Sequence, residues 1–151
     1  MVAQIPFSVF NFRVRLQLDG ESKPLCEGAF SEVSGLEMSH DVETIREGGG
    51  NLRQIHLAGP VSYGNLTLKR GMTEGLDLWR WFAEVSRRRD LRASGEIAVL
   101  SADRETETLR FALTGCLPLK LKAPTLNSMD GTIAIEEMQI AYETLDLAEG
   151  A

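Results

Sequence analysis

Residues 47–71 read EGGGNLRQIHLAGPVSYGNLTLKRG. The stretch opens on three consecutive glycines, Gly48 to Gly50, and closes on a strand pattern. Ordering three glycines in a row carries a large entropic cost, so the run marks flexibility or a close backbone approach. After it, Leu52, Gln54, His56 and Ala58 alternate with Arg53, Ile55 and Leu57. Before it, Leu36, Met38, His40 and Val42 alternate with Glu37, Ser39, Asp41 and Glu43. Period two on both sides of a glycine tip predicts one long β-hairpin over about residues 36–58. Gly59-Pro60 predicts a turn, and residues 61–69 a further strand. A projecting ribbon of this length is poorly stable alone and exposes its edges. It makes sense where another subunit covers it.

Outward from the hairpin the pattern stays β. Residues 7–18 place Phe10, Phe12, Val14, Leu16 and Leu18 on one face and Asn11, Arg13, Arg15 and Gln17 on the other, with a turn at Asp19-Gly20. Residues 25–36 are extended around Ala29, Phe30 and Val33. Beyond the hairpin, residues 74–89 form the one convincing helix. Thr73 is placed to cap it, Glu74 and Asp77 suit its first turn, and Arg87-Arg88-Arg89 suit its last. Leu76, Trp79 and Ala83 share one stripe and Leu78, Phe82 and Val85 an adjacent one, with Trp81 to the side. Such a helix covers an open end or face of the sheets; a partner-binding helix is the alternative. Strands follow at 96–100, 108–114 and 132–145, with a break at Gly115 to Pro118, a short alternation at 119–122 and a frayed tail at 146–151. On this pattern 132–145 puts Thr132, Ala134, Glu136, Met138, Ile140 and Tyr142 on one face. About eight strands and one helix predict a mainly β fold: an antiparallel β-sandwich or barrel, with one flanking α-helix and an extended β-hairpin, in a single domain over 1–151.

Composition narrows the function classes. The chain has 151 residues, 43% hydrophobic and 25% charged, enough for a sizeable core. Its net charge of −6 argues against a nucleic-acid surface, which needs a basic patch. Cys26 and Cys116 match no metal spacing and no redox motif, so each reads as a small core residue in a reduced protein, with a single disulfide between them as the alternative. No apolar run approaches a membrane span, and the N-terminus lacks the charged and apolar regions of a signal peptide. No membrane anchor and no secretory signal are expected.

No catalytic, cofactor or metal site is expected either. The glycine run lacks the spacing and the Lys-Ser/Thr ending of a phosphate-binding loop. There is no HExxH and no GxSxG. His40 and His56 lie in strands, where the hairpin could bring them near each other and near Cys26. That is the one arrangement an enzyme reading would use, and three such residues are too few to define a reaction. A monomeric β-sandwich binding module is the other alternative from a different class.

Three stretches together resemble one family. Phe30-Ser31-Glu32-Val33-Ser34-Gly35-Leu36 is the first. The second is Glu47-Gly48-Gly49 with Asn51 and Gly59, then Tyr63-Gly64-Asn65-Leu66-Thr67-Leu68-Lys69-Arg70-Gly71. The third is Pro118-x-Lys120, Ala123-Pro124-x-Leu126-Asn127, Ala134-Ile135-Glu136-Glu137-Met138 and Tyr142-Glu143. In this order and spacing they are similar to the T4-type phage tail tube proteins, which also supply the inner tubes of phage-like contractile injection systems. The resemblance runs nearly end to end. It implies a tail-tube fold of two packed sheets, and a structural protein whose hexameric rings stack into a hollow tube that conducts cargo. It implies partners in further copies of the chain, a sheath protein, baseplate or tube-initiator proteins, and cargo or a spike in the lumen. It also implies assembly in the cytoplasm before incorporation into a particle. On this reading Glu47, Gly48, Gly49, Gly50, Asn51 and Arg53 contact a neighbouring ring. Where the family often has Trp and an aromatic before Pro-x-Lys, this chain has Phe111 to Leu117, which leaves open a tube subunit or a baseplate-proximal initiator.

Overall fold

The structure is a computed structural model that describes residues 11–28, 30–46, 48, 53–72, 75–103, 105–129 and 131–149. In order it comprises β1 (Asn11–Leu18), β2 (Cys26–Gly28), β3 (Glu32–Ser34), β4 (Met38–Arg46), β5 (Gln54–Tyr63), β6 (Leu66–Gly71), α1 (Asp77–Arg87), β7 (Ala93–Leu100), β8 (Glu107–Lys122), β9 (Ile135–Ala141) and β10 (Thr144–Glu149). All strand pairs are antiparallel, and the main sheet runs β2-β1-β7-β8-β9-β6-β3, with β10 on the other edge of β8.

The long strand β8 gives the fold its shape. Its first part, to Cys116, pairs with β7 and β10; its last part, from Leu117, pairs with β9. Between them Gly115 adopts φ 63°, and an added Cβ there would lie 2.4 Å from the Glu143 side chain. A left-handed residue reorients the strand without ending it, and only glycine does so at no steric cost. Pro118 sits at a register irregularity, where its missing N–H breaks no regular ladder bond. The two halves therefore close over one core. Val14 and Leu16 of β1, Ile97 of β7 and Leu113 of β8 meet Leu66 and Leu68 of β6 and Met138 and Ile140 of β9. Leu78 and Trp81 of α1 complete it.

Several expectations change. The break expected at 115–118 is this continuous bend. Gly59-Pro60 is no turn: β5 runs through it to Tyr63. His40 pairs with Val61 but Val42 with Ala58, so Gly59 and Pro60 together oppose Asp41 in a β-bulge. A Cβ on Gly59 would come within 2.8 Å of the Asp41 carbonyl oxygen, which makes the glycine a requirement of close approach. The hairpin thus extends to residue 63, and the next strand starts at Leu66. The extended stretch 25–36 divides into β2 and β3, which pair with different strands.

The helix is shorter than 74–89, and Thr73 and Glu74 lie outside the described residues. Its cap is Leu76 at φ 51°, with no side-chain cap bond. Trp81, read as lateral, is fully buried with Leu78, while Phe82 and Val85 pack partly against the same core. Positions 78, 81, 82 and 85 form the true stripe at helical spacing. The strand expected over 132–145 stops at Ala141. The tail expected to fray from 146 is instead β10: the Glu143 N–H bonds the Thr114 carbonyl at 2.8 Å, and the chain then pairs from Thr144↔Thr114 to Glu149↔Leu109. Burial of Leu145 against the core gives that strand its anchor. Both cysteines are buried free thiols, as core residues should be.

Candidate functional site

Two anchors and one exposed ribbon organise the molecule. The first anchor joins the helix to the sheet. Arg70 on β6 and Glu136 on β9 are cross-strand partners, and Arg70 Nε donates to Glu136 Oε1 at 2.6 Å. The other carboxylate oxygen, Oε2, accepts from Trp79 Nε1 at 2.7 Å. Arg70 also pairs with Asp77 at the helix start, whose Oδ1 accepts the Leu78 N–H at 2.8 Å. The guanidinium lies 5.2 Å from the Phe30 ring centre, a cation–π distance. Glu136 is only 1% exposed, so an unpaired carboxylate there would be costly, and each of its oxygens has a donor.

The titration behaviour fits this geometry. Burial would raise the Asp77 carboxyl, but its bonds to Arg70 outweigh that and hold it below the usual carboxylate range. Burial likewise works against the Arg70 charge and is outweighed by Asp77 and Glu136, leaving Arg70 raised. The Cys26 thiol is pushed up to about 12, chiefly by burial and then by Asp77. A protonated thiol and fully paired carboxylates are a poor nucleophile and poor bases. The cluster is a structural latch.

The second anchor holds the root of the ribbon. Tyr142 Oη donates to the Gly35 carbonyl at 2.9 Å and accepts the Glu37 N–H at 3.2 Å. Its ring centre lies 5.5 Å from that of Tyr63. The Gly64 N–H closes the root on the Glu37 carbonyl at 3.2 Å. These residues come from all three stretches quoted above, so residues far apart in sequence converge on one junction.

From that junction β4 and β5 leave the body. Among the described residues they pair only with each other, from Met38↔Tyr63 to Arg46↔Gln54. Nine residues at about 3.3 Å each make a ribbon of roughly 30 Å. Every residue of β4 is exposed. Apolar residues change sides along its length. Near the body, Met38, Val42 and Val61 share one face. Toward the tip, Ile45, Ile55 and Leu57 share the opposite face, with the acidic Asp41 and Glu43 on that same face toward the body. Val42 is 65% exposed, although β-branched residues usually fill cores. Both outer edges of the ribbon carry unpaired backbone groups.

Of the residues read from sequence as contact candidates, Gly48 and Arg53 lie at the outer end of this ribbon and are exposed. Glu47, Gly49, Gly50 and Asn51 lie outside the described residues. His40 and His56 are not brought together. They pair with Val61 and Thr44, so they sit four residues apart along the ribbon, about 13 Å. Cys26 is buried in the body beside Arg70. Among the described residues no group of three His, Cys, Asp or Glu side chains is placed to hold a metal ion. No described helix is long and apolar enough to cross a membrane. The latch was missed by sequence reasoning, although a signal existed: Glu136 alternates in register with Met138 and Ile140, and a charge on a core face demands partners.

Comparison with known proteins bears directly on this arrangement. The family described as T4-like virus tail tube protein gp19 matches residues 8–146. No match was found among curated proteins. Among solved structures, a chain of the anti-feeding prophage baseplate, 6-fold symmetrised, superposes with TM-score 0.82 at 26% identity, covering 97% of this chain and 98% of that one. A chain of the sheath-tube complex of an extracellular contractile injection system, in its extended state, gives 0.78 at 21% identity, covering 95% and 92%. Hcp1 from Flavobacterium johnsoniae shares the fold at TM-score 0.59 and 13% identity, covering 91% and 95%.

Proposed function

The chain belongs to the T4-like virus tail tube protein family, and we propose that it assembles into hexameric rings that stack as the hollow inner tube of a contractile tail or injection system. The family is one of structural tube proteins. The observation that carries the assembly reading is the ribbon: a tube-family chain that exposes both faces and both edges of a 30 Å hairpin, roughly, has left them for further copies. A sheath protein outside and cargo inside follow from the same reading. Strand faces such as that bearing Arg13, Arg15, Glu27, Glu96 and Arg110 suit a wetted lumen wall, because mixed charge does not retain what passes. The 6-fold symmetry of the baseplate containing the similar chain supports six subunits. The same proposal gives ring-to-ring contact to Glu47, Gly48, Gly49, Gly50, Asn51 and Arg53.

Negative-stain electron microscopy across a concentration series tests it. Six-fold rings or stacked tubes are expected. A chain that stays monomeric at high concentration, and also when co-expressed with sheath and baseplate components, overturns it. Deleting Gly48 to Gly50 is expected to reduce stacking more than folding. A second reading, a baseplate-proximal initiator ring, draws on the likeness to the baseplate chain. An initiator forms single rings that do not extend; a tube subunit forms open-ended tubes.

A further inference from the structure

The body carries a second unpartnered apolar surface, far in sequence from the ribbon. The connection between β8 and β9 leaves Leu126 87%, Met129 89% and Ile133 81% exposed. Beside it opens a cleft of about 280 Å³, lined by Lys69, Lys122, Ile133, Ile135 and Glu137 among others. Lone exposed apolar residues are ordinary, but here three large ones share one connection, and Ile133 among them lines the cleft, which is of the kind that marks an interaction site. Lys69 is held by Glu32 at 3.1 Å. Glu137 lies across from both Lys69 and Lys122, and Lys120 one step along faces the neutral Gln139. The rim beside the apolar patch is therefore net basic.

We propose that this cleft receives the outer half of the β4–β5 ribbon from a second copy of the chain, with Ile45 and Leu57 against Leu126 and Ile133, and Glu43 toward Lys122. The inference rests on the self-assembly reading and specifies its contact. Charge and polarity both favour that occupant. One face of the ribbon offers two exposed apolar side chains with Asp41 and Glu43 beside them, and the cleft offers apolar side chains rimmed by lysines. Neither surface is covered by the described residues of its own chain. Because ribbon and cleft are different surfaces, each copy can both give and receive; where the exchange is not reciprocal, the contact is heterologous and propagates from copy to copy into rings or stacks.

Charge reversal tests the contact. Glu43→Lys and Lys122→Glu each place like charges together and are expected to raise the concentration needed for assembly by about tenfold or more. The combined variant restores the pair and is expected to assemble near the wild-type concentration. Both positions are exposed, so unfolding midpoints should stay at the wild-type value, which separates lost assembly from lost folding. The pair Glu43→Cys with Lys122→Cys, joined by a short bis-maleimide, is expected to give a ladder of covalent oligomers. The buried native thiols contribute no background. Wild-type tubes with unaffected single reversals and no ladder overturn this contact and leave the tube reading standing. A wild-type chain that never assembles, even with its sheath and baseplate components, overturns both.

Discussion

The Arg70–Glu136 latch and the β4–β5 ribbon satisfy their side chains in opposite ways. In the latch, a buried carboxylate, a guanidinium, an indole and a helix terminus find all their partners within one chain. In the ribbon, apolar side chains and strand edges find few or none. The latch is thus satisfied within one chain, whereas the ribbon leaves its apolar side chains exposed. On the proposed function, the difference separates a cluster that sets stability from surfaces that set assembly.

Substitutions that cut the latch should show the largest effects on stability. Glu136→Ala leaves the half-buried Arg70 guanidinium with Asp77 alone and the Trp79 indole N–H without its acceptor, and breaking a buried pair from one side costs about 3–5 kcal/mol. Urea unfolding should show a midpoint shift of that size, and assembly should fail with it. A shift under about 1 kcal/mol would mean the pair is solvated in a way its geometry does not show. Tyr142→Phe comes next. It removes the bond to the Gly35 carbonyl and loosens the ribbon root, for a cost of about 1–3 kcal/mol. At the ribbon itself, Leu57→Ser should change the unfolding of the dilute chain by no more than about 0.5 kcal/mol. Assembly should nevertheless weaken, and sedimentation velocity will read both states.

The acid limb sharpens the same contrast. The folded Asp77 carboxyl sits below its usual 3.8 because Arg70 outweighs the effect of burial. Below that value the unfolded chain binds the proton first, so the contribution of Asp77 is present above pH 3.8 and is lost as pH falls through the folded value. Asp77→Asn should flatten the loss of stability in that window and leave ribbon variants unaffected. At the alkaline end, burial pushes Cys26 and Cys116 up to about 12. Both thiols should ignore a disulfide reagent at pH 8 until urea unfolds the body.

Much of this was legible before the structure. Alternation placed Val14 and Leu16 inside, and the glycine run flanked by strands gave the ribbon. The remainder failed for identifiable reasons. Gly59-Pro60 has turn chemistry, but the same two residues serve a bulge, and only pairing with Asp41 distinguishes them. Leu145 and Leu147 alternate like any strand, yet a chain end reads as frayed until a partner such as β8 is known. The stripe of Leu78, Phe82 and Val85 was legible, but Trp81, one position from Phe82, was set beside it although it belongs to the same buried face. The partners of Glu136 come from β6 and α1, and no local pattern carries contacts across 57 and 66 positions. The contact role proposed for the ribbon tip rests only on the family resemblance, since glycine and asparagine there carry no chemistry of their own.

Hydrogen exchange followed residue by residue in the dilute and the assembled chain tests the division most directly. The account requires the amides of β1, β7, β8 and β9 to be protected in both states, and those of β4 and β5 to exchange quickly in the dilute chain and slowly after assembly. Ribbon amides as protected in the dilute chain as those of β8, or unchanged by assembly, would contradict it.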